Sequence, residues 1–133
     1  MFFARVVVVL FGIMMPYLAR LPGIPEHGVD WLVSYFGEPV VFGVLFFGVF
    51  NMLCWGSILG ATFLFRSAST VWFPAVAGFG FCFWCHSQLD LASDAQAGIG
   101  IVVFPVVALL PILIGTLAGW AYEKWRWRSN TLF

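Results

Sequence analysis

The sequence predicts an all-α integral membrane protein, a four-transmembrane-helix bundle built as two helical hairpins with both termini cytoplasmic. Three observations predict it. Only 9% of the 133 residues are charged, against roughly a quarter in soluble domains, while 62% are hydrophobic, 20% are aromatic and the mean hydropathy is +1.01. Uncharged stretches long enough to cross a bilayer recur along the chain. Arginine and lysine fall on one side of these stretches and most acids on the other. The zero formal charge excludes the basic field that a nucleic-acid binder needs, and the aromatic content excludes a disordered tail. Residues 1–133 form one transmembrane domain.

The spans follow from where charge is missing, because a charge at mid-bilayer costs several kcal/mol. The first covers about residues 2–19, with Arg5 near enough to its end to snorkel to the interface. A cleaved signal peptide competes for this stretch, but Tyr17 and Ala19 are the best available cleavage pair, so a retained anchor is preferred. The second, about 39–65, contains no charge between Glu38 and Arg66. The third covers about 67–86 and the fourth about 95–122. These runs are continuously apolar and lack the period-two alternation of a barrel strand, so helices are expected. Between the first two spans, Asp30 is expected to cap a short interfacial helix over Trp31–Phe36.

Orientation follows from the bases. Arg5, Arg66, Lys124, Arg126 and Arg128 share one side, which is predicted to be cytoplasmic. Glu26, His27, Asp30, Glu38, His86, Asp90 and Asp94 share the other, with Arg20 as its only strong base. The tail from Glu123 to Arg128 interleaves tryptophan with base, as suits headgroup contact or a simple stop-transfer anchor.

Within the spans, small and polar residues indicate packing. Gly56 and Gly60, and Gly115 and Gly119, form two pairs four apart at similar depth, and are expected to let the even helices meet. Asn51, Cys54 and Ser57 recur every three residues, and Asn51 is expected to hydrogen-bond another helix. Pro74, Pro105 and Pro111 are expected to kink the third and fourth helices. No ionisable group lies deep in a span, which argues against an ion-coupled transporter but leaves a pore possible.

Cys82-Phe-Trp-Cys85-His86 is the sharpest local pattern. Two cysteines two residues apart followed by histidine match the attachment signature of haem c, in which the thiols bond the porphyrin and histidine ligates iron. Without the histidine, Cys82 and Cys85 are a candidate redox pair. In these two cysteines and in helix count the chain resembles the small quinone-linked disulfide-forming membrane oxidoreductases, which implies thiol relay chemistry. That family uses a second cysteine pair, where this chain has only Cys54. The inert alternative is that cysteine is a small apolar residue here, with Trp84 and His86 suiting the interface. His27, Asp30, His86 and Asp90 are a candidate metal set, having the donors of an ordinary zinc or copper site. No cofactor is expected otherwise.

The stretch Asp90-Leu-Ala-Ser-Asp-Ala-Gln-Ala-Gly98 precedes the proline-containing fourth span, and Ser93 or Asp94 is expected to cap it. The run resembles one in small uncharacterised bacterial membrane proteins of about four helices, which implies a bacterial inner membrane and no particular activity. Asp90, Asp94 and Gln96 could line an external mouth with His86. No phosphate loop or catalytic constellation is legible, and the chain lacks a soluble pocket-bearing domain. Taken together, the sequence predicts a protein that acts by association with the lipid bilayer as its solvent. It would be an accessory subunit beside a membrane-protein partner, or the protomer of a small homo-oligomeric pore. Thiol-redox chemistry is the alternative.

Overall fold

A computed structural model describes residues 1–36, 40–90 and 97–130, and every regular element among them is helical. The order is α1 (Phe2–Leu18), a 3-10 turn (Leu21–Gly23), α2 (Ile24–His27), α3 (Asp30–Val33), α4 (Val40–Ala61), a 3-10 turn (Ala68–Val71), α5 (Trp72–Gln88), α6 (Ala97–Val107) and α7 (Leu109–Asn130). Among the described residues, three stretches are long and apolar enough to cross a membrane: Phe2–His27, Ala68–Gln88 and Ala97–Ser129. Leu45–Ala61, within α4, is a shorter apolar helix. Helices of this length and apolarity suit a membrane protein, because a lipid solvent requires each backbone group to be satisfied within its own segment.

Local chemistry sets the breaks. Pro22 and Pro25 occupy first-turn positions of the short helices after α1, where a missing N–H costs nothing. Gly28, at φ 78°, ends α2 in a conformation that strains other residues. Val29 precedes α3 and no side chain caps it, so Asp30 is the first helical residue and does not cap. Trp31–Phe36 is accordingly not one helix, because turns replace it after Val33.

One further expectation is corrected, and the helix bounds within the second and fourth spans are set. Pro74 does not kink its helix, because it is the third residue of α5, within the first turn. The second span is helical only to Ala61 and continues as turns, while the helix of the fourth continues past residue 122 to Asn130. The fourth span is also divided at Ala108, between Pro105 and Pro111. The chain keeps its course through Ala108 because its N–H reaches Phe104 O at 2.9 Å and its carbonyl accepts from Ile112 N at 3.1 Å.

The most extensive packing joins α5 to α7 and α1 to α4, and α4 also touches α5, α6 and α7. Ile58, Phe65, Phe79, Cys54, Cys82 and Ile112 form the larger core cluster. Tyr17, Tyr35, Phe47 and Ile101 form a second. The two glycine pairs do not meet each other. A Cβ on Gly115 would lie 2.6 Å from Phe73 O and 2.8 Å from Pro74 Cα, so this glycine admits α5. Gly119 faces Thr70 and Phe65. Among the described residues, Gly56 and Gly60 have nothing within 4 Å of an added Cβ. The spacing identifies small faces, but with every face apolar it cannot say which neighbour each one meets.

Charge collects at two ends of the bundle. At one, Arg5 Nε donates to Thr62 Oγ1 at 3.0 Å, and Glu123 accepts from the backbone N–H groups of Arg66 and Ser67 at 2.9 and 2.7 Å. The other end holds Arg20, beyond the far end of α1.

Candidate functional site

Arg20 follows α1 and is only 1% exposed. A guanidinium out of water needs acceptors for five N–H donors, and the short helices and the end of α5 supply them. Nε donates to Trp31 O at 3.0 Å, and Nη2 to Ser34 Oγ at 3.1 Å. Nη1 donates to Leu89 O and, at 3.5 Å, to His86 O. The last two carbonyls lie at the C-terminal end of α5, where the helix dipole favours a cation. The guanidinium carbon also lies 3.4 Å from the centroid of the Trp31 ring and 4.3 Å from that of Tyr35, and the Asp90 carboxylate attracts the same charge. One side chain thus joins α1, α3 and α5.

Tyr35 and His86 continue the cluster. The Tyr35 hydroxyl lies 3.1 Å from His86 Nδ1, and the two residues are 0% and 1% exposed. Burial raises the Tyr35 phenol above its ordinary pKa, against the opposing pull of Arg20, so it stays protonated. The Tyr35 ring stacks on Phe47 at 4.4 Å, while His86 meets Phe104 edge-on at 6.1 Å. His86 Nε2 is buried and has no hydrogen-bond partner among the described residues.

One turn deeper lie the cysteines. Cys54, Cys82 and Cys85 are all buried and all free thiols. Cys82 Sγ contacts Cys54 Sγ at 3.4 Å, across the α4–α5 interface. The pairing legible in the sequence, Cys82 with Cys85, runs along one helix. A haem would need Cys82, Cys85 and His86 to face a porphyrin-sized space. All three are buried, and neither of the two grooves between helices is lined by them.

The four candidate metal ligands have separate environments. His27 stacks on Trp31 at 4.4 Å and lies 3.9 Å from the Glu26 carboxylate, while His86 is enclosed with Tyr35. Asp30 begins α3 and Asp90 faces the charge of Arg20. Among the described residues, no group of three or more histidine, cysteine or acidic side chains is placed to hold a metal ion. Of the proposed mouth, Asp90 is half-buried beyond α5, while Asp94 and Gln96 lie outside the described residues, as does Ser93.

Asn51 is 1% exposed and donates from Nδ2 to Gly12 O at 2.7 Å. Its Oδ1 and the neighbouring Trp55 Nε1 are buried without partners among the described residues.

Two grooves run along the helices. One, about 790 Å³, lies between α1 and α5, lined by Val7, Phe11, Val71, Ala75, Val76 and Phe83 among others. The other, about 540 Å³, lies between α4 and α6, where Gly56, Ser57, Val102, Pro105 and Val106 line it.

Sequence reasoning passed over Arg20, Ser34 and Tyr35. A signal for them was present: Arg20 is the lone strong base on the acid-rich side, and Trp31, Ser34 and Tyr35 have the spacing of one helical face. Compared with family models, curated proteins and solved structures, the chain matches none of them.

Proposed function

We propose that the chain is a four-pass protein of a bacterial inner membrane, with both termini cytoplasmic, that acts by association as the protomer of a small homo-oligomer. The observation that carries this is the open glycine pair of α4. Gly56 and Gly60 lie four apart on one helix face with no neighbour against them among the described residues, and Gly56 borders the groove between α4 and α6. Without a hydrophobic incentive between helices in lipid, close backbone approach at small residues is what favours their association. Two copies of α4 crossing about a two-fold axis would place each glycine pair against the other, a self-complementary contact. A small pore is one form that such an oligomer takes, and an accessory subunit is the form with a different membrane-protein partner.

The four-pass topology is supported by the grouping of Arg5, Arg66 and Glu123 at one end, from which the basic tail of α7 continues. The positive-inside rule assigns that end to the cytoplasm. A fluorescent protein fused to the C-terminus is expected to fold and emit, and a dark fusion with an active periplasmic reporter would reverse the orientation.

The association reading is tested by native mass spectrometry of the protein released from detergent. The wild type is expected as a dimer or larger, and Gly56→Leu with Gly60→Leu as a folded monomer. A monomeric wild type, or an oligomer unchanged by the double substitution, would reject this interface.

A further inference from the structure

Cys54 on α4 and Cys82 on α5 come from different helices, 28 residues apart in sequence, yet their sulfurs are 3.4 Å apart and both residues are 0% exposed. Thiols are weak donors and weak acceptors, so hydrogen bonding contributes little to holding them together. What the arrangement provides is proximity. A disulfide needs its sulfurs at about 2.05 Å, so closure from 3.4 Å requires an approach of about 1.4 Å, within reach of side-chain rotation and a small helix adjustment. Cys85, three residues along α5, contacts neither sulfur by any hydrogen bond among the described residues.

The surroundings restrict which oxidant can arrive. Both cysteines belong to the larger core cluster, among Val8, Ile58, Phe79 and Ile112. Such an interior disfavours a charged or bulky hydrophilic disulfide and favours a small neutral oxidant that dissolves in hydrocarbon. We propose that Cys54 and Cys82 are an oxidisable pair that a neutral hydroperoxide closes into a disulfide joining α4 to α5.

The chemistry balances in two steps. One sulfur attacks the peroxide as its thiol proton passes to the departing oxygen, so the S–O bond of a sulfenic acid forms while the O–O bond breaks and an alcohol, or water from hydrogen peroxide, leaves. The second thiol then attacks that sulfur, the S–S bond forms, and the sulfenic oxygen departs as water. The two sulfurs lose two electrons in total, and the peroxide accepts them. The bridge pins α4, the helix carrying Gly56 two residues beyond Cys54, to α5. This inference stands on the sulfur geometry and does not depend on the association reading.

The test uses the full chain in detergent micelles, with tert-butyl hydroperoxide as the probe, followed by unfolding, alkylation of free thiols and peptide mapping. The expected result is a single alkylated cysteine, Cys85, and a crosslinked peptide pair containing Cys54 and Cys82. The Cys85→Ser variant should form the same crosslink. Three alkylated thiols after peroxide, a bridge between Cys82 and Cys85, or a bridge between two copies of the chain would each overturn the proposal. Mapping of the wild type decides the outcome even where a Cys54→Ser control fails to fold.

Discussion

Asn51 hydrogen-bonds the one backbone carbonyl of α1 that Pro16 leaves without its helical donor. In a regular helix, Gly12 O accepts from the N–H of the residue four along, which here is Pro16. Proline has no N–H, and Asn51 Nδ2 fills the position from α4 at 2.7 Å. In lipid no water replaces that donor, so the pair couples α1 to α4 through a proline and an asparagine that do not touch in sequence.

This relationship gives a double-mutant prediction. Asn51→Ala should lower stability by about 1–2 kcal/mol, the range of a buried interhelical hydrogen bond. In a Pro16→Ala background, which restores the backbone donor, the same substitution should cost clearly less. Thermal unfolding in detergent, read by circular dichroism for all four proteins, measures the coupling. Equal costs in both backgrounds would remove the link to Pro16.

Gly12 itself is predicted to be intolerant. A Cβ there would overlap the Cβ and ring of Trp55, so Gly12→Ala should cost about 1–3 kcal/mol through overpacking. Gly48, with nothing within 4 Å of an added Cβ among the described residues, should accept alanine without loss. Unfolding midpoints of the two variants give the comparison. Equal tolerance would mean that α1 and α4 are farther apart than described.

Arg20 should not be replaceable by lysine. One ammonium cannot reach Trp31 O, Ser34 Oγ, His86 O and Leu89 O together, nor stack flat on Trp31. Hydrogen exchange is expected to rise over Trp31–Phe36 in Arg20→Lys, while the middle of α5 stays protected. Unchanged protection of the short helices would show that they are held by other contacts.

Glu123 is predicted to hold the turn before α5. Its carboxylate accepts from Arg66 N and Ser67 N, and Ser67 makes no side-chain cap of its own. Glu123→Gln keeps one side-chain oxygen and should retain part of the contact, whereas Glu123→Ala should raise exchange at the amides of Arg66 and Ser67. A glutamine variant as exposed as the alanine variant would indicate that both carboxylate oxygens are needed.

Two kinds of information can be separated by these residues. Composition and the spacing of charge identify the solvent, because the absence of charged side chains over a span's length needs no knowledge of neighbours. That argument places helices near Phe2–Leu18, Val40–Ala61, Trp72–Gln88 and the region around Pro105 and Pro111. It is weaker at helix ends, where Asp30, Pro74 and the turns after Ala61 follow local hydrogen bonding that an apolar count does not register. The Cys82-Cys85-His86 spacing follows one helix, and the partners of these residues on other helices were not legible in it.

The sequence by itself determined apolar helices of membrane-spanning length with charges near their ends, since each of those properties depends on residues near one another in the chain. Tertiary structure decided that Asn51 serves Gly12, that Cys82 meets Cys54, that Arg20 reaches three helices, and that Gly115 faces α5 while Gly56 stays open. The physical reason is that these helices are apolar all round. A soluble helix announces its buried face by the contrast between polar and apolar residues, whereas a helix in lipid can present any apolar face inward. Its rotation is settled only by which neighbours supply close packing and hydrogen-bond partners.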